Sequence, residues 1–428
     1  MNTKNLKVLD LFCGSGGFSK GFEQAGFKIS TGIDVDPNII KTYSENHRKS
    51  KFVQHDISKR ILDFDIDVII GSPPCQSYSS ARGNWNYSKS QKAQIMLPVS
   101  FCKWVIKTLP QVALMENVAG FKSHYSNTAE KVKKLLSEEF FLTEVLLQSS
   151  NFGVPQSRIR YFLLAFRKDL DIKPSIPDKN QHSNKFIIND AFHGLDSPDI
   201  VFNGITNGMG NKILKNHCNT FRKIINSSKI QRTTNHIAKL PTKDSKNIVD
   251  LIPQGKAYRS DRLGEKYIGI WEIAELFKKK YNRELLSIQE QKIMKKIAHL
   301  RIKPKVKTRK GENQEGYVPI LYLKEFSRDL IQKLVDKDWL KHDKTRSAVD
   351  FTAKAGHWRR YYRLDSSMIA PTLLTAFANA RMFIHPFENR GLSLREGARL
   401  QTFPDDFTFY GSFTSISHQI GNAVNILE

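Results

Sequence analysis

The segment GSPPCQSYSS, residues 71–80, places a cysteine where a reactive group could act on a ligand. It follows the run DVII (Asp67–Ile70), which is apolar and β-branched as in a buried strand. A lone cysteine is most often a small buried hydrophobe. Cys75, however, is surrounded by prolines, a glutamine and hydroxyl side chains rather than by core residues. A thiol held by prolines at the end of a strand is a candidate nucleophile.

A nucleophilic thiol needs an acid or a base as partner, and a carboxylate ends a later strand pattern. MENV (Met115–Val118) offers Glu116, and burying a carboxylate at the end of an apolar strand is costly unless it is solvated or functional. QSRIRYF (Gln156–Phe162) places Arg158 and Arg160 at i and i+2, on one face of a strand. Two arginines that face one way could hold a phosphate or orient a carboxylate, or they could be ordinary surface residues.

The N-terminal LDLFCGSGGF (Leu9–Phe18) has the pattern of a strand, a glycine-rich turn and a helix. Glycines let the backbone approach a ligand, and Phe12 could stack on a flat ring, although FxGxGG is not the GxGxxG dinucleotide fingerprint. Asp34 ends the second strand pattern about twenty residues later, where a carboxylate can accept hydrogen bonds from ribose hydroxyls. Asp56 ends the third and could bond an adenine amine. Together these strand ends indicate a nucleoside-bearing cofactor.

Alternating strand and helix patterns in the first 167 residues must position these groups. They predict an α/β fold with a Rossmann-like, doubly wound, mostly parallel sheet, in which ligands bind beyond the carboxyl ends of the strands. The predicted strands are Lys7–Phe12, Phe27–Val35, Lys51–Ile57, Asp67–Gly71, Val112–Val118, Phe140–Gln148 and Tyr161–Arg167. The predicted helices lie near residues 17–25, 37–46, 93–108 and 126–139.

A polar, proline-bearing segment, Pro174–Lys185, is a plausible domain boundary. Helical spacing returns in a segment of about residues 264–345, at Gly269–Tyr281, Ser287–Leu300 and Lys324–Leu340, around a lysine-rich stretch at 303–316 that we expect to be a flexible loop. Helices with a basic loop are compatible with a winged-helix-like DNA reader. A helical insertion without that function fits the pattern equally well.

Charge and composition limit the classes of partner. The net charge is +25, and residues 201–350 hold 33 Lys and Arg against 16 Asp and Glu. Such an excess indicates a polyanion, most simply nucleic acid, although a lysine-rich surface also aids solubility. Four cysteines without a CxxC pair predict a cytoplasmic protein with neither a structural disulfide nor a zinc site. We expect no membrane span and no signal peptide, since apolar runs are short and a strand pattern begins almost at once.

Taken in order, these motifs resemble those of the DNA cytosine-5 methyltransferases, of the bacterial restriction–modification type. The matching elements are Phe12–Gly17, Pro73–Cys75, Glu116–Val118, the set Gln156, Arg158 and Arg160, Arg395–Phe403 and Gly421–Val424. The resemblance covers nearly all of residues 1–167 and again 371–425, whereas the segment 264–345 has no counterpart in it. The family pattern continues past GNAV with a further helix, and this sequence departs from it there.

The resemblance implies a catalytic mechanism and a role for each part of the chain. Cys75 would attack C6 of a cytosine flipped out of duplex DNA, and Glu116 would act at N3 and the exocyclic amine. Arg158 would contact the cytosine carbonyl or its phosphate, and Arg160 would brace Glu116 and the Cys75 loop. Residues 1–185, completed by about 408–428, would form the catalytic domain, and 186–407 a smaller target-recognition domain. Arg395, Glu396, Arg399 and Gln401 would be architectural rather than catalytic.

S-adenosyl-L-methionine is the cofactor that the resemblance implies. Its predicted site comprises Phe12, Gly14, Gly16, Gly17, Asp34, Val35, Asp56, Ile57, Pro74, Leu97, Asn422 and Val424. The predicted DNA contacts are Gln76, Ser77, Ser79, Asn117 and Gln156, and Asn117 would also support the backbone of the Cys75 loop. No metal is expected. The resemblance also implies a monomer and a functional link to a cognate restriction endonuclease.

Two other functions remain compatible with these motifs. One is an RNA cytosine-5 methyltransferase on the same fold, against which the long basic recognition region argues. The other is a DNA regulator that kept the fold without catalysis, against which the intact Cys75, Glu116, Arg158 and Arg160 argue.

Overall fold

A computed structural model provides the coordinates. It describes residues 6–74, 93–124, 126–176, 185–202, 205–207, 234–241, 243–258, 267–282, 284–302, 318–337, 339–343, 347–351 and 360–427. Four predicted functional residues lie outside these ranges, namely Cys75, Gln76, Ser77 and Ser79. The lysine-rich stretch at 303–316 lies outside them as well.

A seven-stranded sheet forms the centre of the N-terminal half. Its strands are β1 (Lys7–Leu11), β2 (Lys28–Asp34), β3 (Lys51–Gln54), β4 (Val68–Gly71), β5 (Val112–Val118), β6 (Phe140–Gln148) and β8 (Ile159–Arg167), with the short β7 (Gln156–Ser157) preceding β8. The order is β3-β2-β1-β4-β5-β8-β6, parallel from β3 to β5, with β8 antiparallel to both neighbours. The predicted α/β fold with a mostly parallel sheet is confirmed.

Helices cover both faces of this sheet, as a doubly wound fold requires. They are α1 (Gly17–Gln24), α2 (Ile40–Asn46), α3 (Leu97–Thr108), α4 (Gly120–His124) and α5 (Ser126–Leu136). Leu9 and Leu11 pack with α3 and α5 in one hydrophobic cluster, whereas Val8 packs with Phe18 of α1 in another. Because side chains alternate along a strand, β1 supplies both cores, and so its apolar run is nearly continuous.

Local chemistry sets the ends of these elements. α3 carries Pro98 in its first turn, where the missing N–H of proline costs no helical hydrogen bond. β3 ends at Gln54 rather than at the predicted Ile57. The side chain of Asp56 accepts a hydrogen bond from the Ser58 amide at 3.0 Å, which turns the chain away from the sheet.

A buried acid lies beneath α1. Asp10 of β1 is fully buried and accepts a hydrogen bond from Ser19 Oγ at 2.6 Å, and Tyr43 lies 2.9 Å from the same hydroxyl. Within the described residues, the second carboxylate oxygen of Asp10 has no hydrogen-bond partner. Burial therefore raises the pKa of Asp10 to about 7.

We expect Asp10→Asn to stabilise the protein at pH 8 by about 2–4 kcal/mol and to have little effect near pH 4. The folded state retains the Asp10 proton up to a pKa of about 7, whereas the unfolded chain loses it near the ordinary value of 3.8. The wild-type protein therefore loses folding stability as the pH rises between these two pKa values, whereas asparagine stays neutral and the variant does not lose it. Urea denaturation at both pH values measures the difference, with the exposed Asp63→Asn as control. Equal effects of Asp10→Asn at both pH values would contradict this prediction.

The rest of the chain forms smaller sheets and short helices. The helices are α6 (Ile188–Phe192), α7 (Lys243–Leu251), α8 (Ile270–Tyr281), α9 (Ile288–Ile302), α10 (Arg328–Asp336), α11 (Leu394–Leu400) and α12 (Phe413–Asn422). The strands are β9 (Asp199–Phe202), β10 (Ile205–Asn207), β11 (Ile237–Lys239), β12 (Ala257–Tyr258), β13 (Tyr267–Ile268), β14 (Val318–Pro319), β15 (Leu340–Asp343), β16 (Ala348–Phe351), β17 (Arg360–Arg363), β18 (Ala370–Pro371) and β19 (Phe383–Ile384). They form sheets of order β10-β9-β11, β13-β12-β17-β19 and β14-β16-β15, and β18 pairs with β7.

Two hydrophobic clusters organise this region. One contains side chains of the four helices α7, α8, α9 and α10 and of the strands around them. The other extends from Phe186 to Ile426 and includes both α11 and α12. The predicted domain boundary at 407/408 therefore runs between two helices that share a core. None of the helices in the described part of the chain combines the length and apolarity that a bilayer crossing requires.

Candidate active site

The carboxyl ends of five parallel strands meet at one edge of the large sheet, and the glycine-rich turn lies there. Phe12 and Gly14 both have positive φ angles, 62° and 52°. The Gly14 amide donates to Asp34 Oδ2 at 3.0 Å, which ties the turn after β1 to the end of β2. Two residues that the sequence analysis assigned to one cofactor are thus in direct contact.

The glycines of this turn face different surroundings. A Cβ built on Gly14 meets no atom within 4 Å, so the backbone there is open to a ligand. A Cβ on Gly16 would lie 2.1 Å from His47 Nε2, and one on Gly17 would lie 2.5 Å from the Val424 carbonyl oxygen. The turn is therefore supported by the protein on one side and open at Gly14, as a nucleoside-binding turn requires.

Asp34 ends β2, and Asp56 lies two residues past the end of the neighbouring β3. Asp34 also accepts from the Asp36 amide at 3.0 Å, and burial raises its pKa. Asp56 is more exposed, and its hydrogen bonds from Ser58 lower its pKa. Each carboxylate keeps acceptor capacity beyond these bonds, because two oxygens offer about four lone-pair sites.

The other residues predicted to bind the cofactor have varied environments. Val35 is 60% exposed beside Asp34, whereas Ile57 is buried and its carbonyl accepts from Trp104 Nε1 at 2.9 Å. Pro74 and Leu97 are partly buried. Asn422 is exposed at the end of α12, and Val424 is buried with its carbonyl toward Gly17.

Glu116 and Arg160 form an ion pair at the end of β5. The Glu116 Oε1 to Arg160 Nε distance is 2.9 Å, and Glu116 is only 5% exposed. Burial raises the pKa of Glu116, against the charges of Arg160 and Arg158, which lower it. A carboxyl whose pKa is raised in this way is suited to hold and return a proton.

Arg158 immediately precedes β8 and Arg160 lies within it, and both side chains are buried, as the i and i+2 spacing predicts. Both are buried, while Ile159 between them is 47% exposed. Arg158 Nη2 donates to the Ala423 carbonyl at 3.0 Å. Arg158 therefore joins the QxRxR segment to the chain that follows α12, close enough to Glu116 for its charge to act on that carboxyl.

Asn117 and Gln156, which the sequence analysis assigned to DNA contact, are fully buried. Asn117 Nδ2 donates to the Pro73 carbonyl at 3.2 Å, two residues before Cys75. Gln156 Nε2 donates to the Leu400 carbonyl at 3.1 Å, and Gln156 Oε1 accepts from the Leu373 amide at 3.0 Å. Their polar groups bond protein atoms and are shielded from solvent, an environment that favours a positioning role for both residues.

Buried ion pairs fix the segment around α11. Arg399 makes two hydrogen bonds to Asp405, each 2.8 Å long, and Arg390 makes two to Glu396, of 2.7 and 2.8 Å. Gln401 Nε2 donates to the Ile420 carbonyl at 2.9 Å. These contacts link α11 to its flanking loops and to α12, a placement suited to an architectural role.

Sequence reasoning did not identify two supports of the site. His47 packs against Gly16 and donates through Nδ1 to Glu23 Oε1 at 3.0 Å. Ser15 Oγ donates to the Gln419 carbonyl at 3.4 Å, which joins the turn to α12. His47 lies outside every motif, and Ser15, although it lies within Phe12–Gly17, carries no residue type or spacing that predicts a contact with α12. In the described part of the chain, no cluster of three or more His, Cys, Asp or Glu side chains is placed to hold a metal ion.

The sheet order and the position of the candidate groups at its carboxyl edge define a doubly wound α/β fold with a ligand site at that edge. The sequence model of the C-5 cytosine-specific DNA methylase family matches residues 6–427, so the chain belongs to that family. The resemblance found in the motifs is thereby confirmed, and the protein is a DNA cytosine-5-methyltransferase.

Known proteins are similar to this chain either over most of its length or over part of it. The type II methyltransferase M.DdeI of Desulfomicrobium norvegicum is 26% identical over 98% of this chain and 85% of its own. The type II methyltransferase M.NgoPII of Neisseria gonorrhoeae is 36% identical over 40% of this chain and 51% of its own. A crystal structure described as a prophage-encoded DNA modification methyltransferase (E. coli) has a TM-score of 0.54 and 23% identity, covering 99% of this chain and 96% of that one.

Proposed function

We propose that the protein transfers a methyl group from S-adenosyl-L-methionine to C5 of a cytosine flipped out of a specific duplex DNA sequence. The reaction passes through a covalent bond between Cys75 Sγ and C6. The observation that carries the proposal is the buried Glu116–Arg160 pair at the sheet edge. Glu116 lies on β5, and the next residue of that strand, Asn117, donates a hydrogen bond to the loop that leads to Cys75.

The chemistry follows from the weak nucleophilicity of cytosine C5. When the Cys75 thiolate forms a bond to C6, the π electrons of the C5–C6 bond form a C4–C5 double bond. The π pair of the C4–N3 bond moves to N3, which takes the proton of Glu116. C5 then carries the electron density that a methyl acceptor needs. After transfer, Glu116 takes the N3 proton back, a water or hydroxide removes the C5 proton, and the C–S bond breaks to release Cys75.

Burial suits Glu116 to this cycle, since it raises the pKa and so favours the protonated form that donates to N3. Arg160 holds Glu116 Oε1 and so orients the carboxyl. Arg158, tied to the Ala423 carbonyl, lies on the same buried side and is the proposed contact to the cytosine carbonyl or its phosphate.

The cofactor supplies an electrophilic methyl group on a sulfonium. The open backbone at Gly14 and the carboxylates at two strand ends fit a nucleoside. Asp34 would accept from the ribose hydroxyls and Asp56 from the adenine amine, while Phe12 would pack against the ring and Asn422 would complete the site. The remaining predicted residues would line it, namely Gly16, Gly17, Val35, Ile57, Pro74, Leu97 and Val424.

Duplex DNA is the proposed substrate because the chain carries a large positive charge and belongs to a DNA methylase family. Extrusion of the base costs a few kcal/mol, which contacts to phosphates and to the flipped base must offset. Gln76, Ser77 and Ser79 are the proposed contacts near the extruded nucleotide. We further propose a cytoplasmic monomer that protects host DNA beside a cognate endonuclease, since relatives such as M.DdeI are named type II methyltransferases.

Bisulfite sequencing of DNA from cells that express the protein tests this proposal. We expect unconverted cytosines at one recurring sequence, and none in cells that express Cys75→Ala. Full conversion in cells with soluble wild-type protein would refute DNA methylation. Incubation with labelled methyl donor and either duplex DNA or tRNA would then test the RNA alternative.

A further inference from the structure

Residues 270–351 contain a compact unit within the basic region. Its helices and strands all contribute to one hydrophobic cluster, which α7 and neighbouring strands share. The contributing side chains are Ile273 and Phe277 of α8, Ile293 and Ile297 of α9, Ile331 and Leu334 of α10, and Val318, Leu340 and Val349 of the three strands. We call it the 270–351 unit. A core of this kind indicates a structured element rather than an extended linker.

The order of its elements is that of a winged helix. α9 is followed by β14, a 3-10 turn at Ile320–Leu323, α10, and the antiparallel hairpin of β15 and β16. β16 lies between β14 and β15, and both pairings are antiparallel. In that order the 3-10 turn and α10 take the places of the two helices of a helix-turn-helix, in which the second helix is the one that enters a DNA groove.

α10 has one buried and one free face. Ile331 and Leu334 are buried in the core, whereas Arg328, Gln332 and Lys333 are exposed. Ser327 caps the helix by accepting from the Leu330 amide at 3.2 Å, which places Arg328 at its first position. Among the described residues, neither Arg328 nor Lys333 has an ion-pair partner, while Gln332 donates to Asp336 at 2.7 Å.

The charges and residue types of this surface fit duplex DNA. Lys324 before α10 adds exposed positive charge, and α9 of the same unit carries the exposed Lys292 and Lys295. The exposed acids Asp329 and Asp336 keep the helix itself near neutrality. Arginine can bind guanine through two hydrogen bonds, and glutamine can bind adenine in the same way. An aspartate can accept a hydrogen bond from cytosine N4. This mixture of side chains suits the reading of base edges better than phosphate binding alone.

We propose that α10 docks in the major groove of duplex DNA and provides contacts outside the methyl-transfer pocket. Arg328 and Gln332 contact base edges, and Lys333 contacts a phosphate. The proposal rests on the proposed function only in taking DNA as the partner, since binding by α10 requires no methyl transfer.

The test compares two double variants of the full-length protein that remove the same charge. Arg328→Ala/Lys333→Ala changes α10, and Lys131→Ala/Lys134→Ala changes exposed lysines of α5 on the large sheet. Affinity is measured on a duplex of about 30 base pairs, roughly three helical turns, that contains the methylated sequence. The methylation rate at saturating DNA and the thermal midpoint are measured in parallel.

We expect the α10 variant to raise the Kd about tenfold or more, and to lower the salt dependence of binding by a slope of about 1 for the lost phosphate contact. Its saturated rate and thermal midpoint stay unchanged, and the α5 variant behaves as wild type. A Kd equal to that of the wild-type protein would overturn the proposal and would indicate that α10 binds a protein partner instead. So would a loss of saturated rate without a change in Kd. A wild-type protein that binds the duplex without methylating it would refute the proposed function but not the role of α10.

Discussion

Replacement of Cys75 by alanine is expected to abolish methyl transfer while duplex binding persists. Without the thiolate no bond forms at C6, and C5 stays too electron-poor to accept a methyl group. Loss of a covalent nucleophile lowers turnover by on the order of 10⁴- to 10⁶-fold, whereas phosphate contacts elsewhere still hold the DNA. Transfer of labelled methyl groups and a binding isotherm, measured on the same preparation, separate the two effects.

Cys102→Ala is the matched control for this substitution. Cys102 is buried in α3, and burial raises its thiol pKa to about 12, so it supplies no thiolate at neutral pH. Duplex DNA with 5-fluorocytosine at the target should trap a covalent complex with wild type and Cys102→Ala but not with Cys75→Ala, since fluorine cannot leave as a proton. Substantial methylating activity of Cys75→Ala would contradict the covalent mechanism.

Glu116→Gln is expected to lower kcat by about 10²- to 10⁴-fold, the usual contribution of a positioned proton donor. Glutamine keeps the shape of the side chain and can still accept from Arg160, but it has no acidic proton for N3. Single-turnover methylation measures the loss. The comparison is Glu144→Gln on β6, a carboxylate that accepts from Tyr161 OH at 2.8 Å and lies outside the proposed site.

The pH profile distinguishes a proton donor from a structural residue at position 116. Burial raises the Glu116 pKa, so the protonated form persists to higher pH than for an ordinary glutamate. Activity that depends on this proton falls as the pH rises through that pKa, and Glu116→Gln removes this limb. Wild-type turnover in Glu116→Gln would exclude the proton-transfer role.

Much of the large sheet could be predicted because its strands carry long apolar runs. Val68–Gly71 lies within the predicted Asp67–Gly71, and Val112–Val118 matches its prediction at both ends. The position of β8 between β5 and β6 could not be predicted, because pairing depends on contacts distant in sequence. Two-residue strands such as β14 are too short to show any periodicity, so the winged-helix order emerged only from the structure.

The site was predictable where residue type and strand position pointed to one role. Glu116 at a strand end is such a case, and its pairing with Arg160 follows from the antiparallel neighbour β8. The roles of Asn117 and Gln156 could not be predicted, because a side-chain amide can contact either DNA or the protein backbone. Only burial separates these roles. The approach of Val424 to Gly17 joins positions some four hundred residues apart, a relation that no local pattern can express.

That approach has a consequence for how the enzyme is made. The carbonyls of Gln419, Ala423 and Val424 meet Ser15, Arg158 and Gly17, so the end of the described chain closes the turn at its beginning. A nascent chain still lacking these residues has the sheet and its carboxylates but not the finished pocket. Methylating activity therefore emerges only after the residues up to Val424 have left the ribosome. Two separately expressed halves could regain it only by associating.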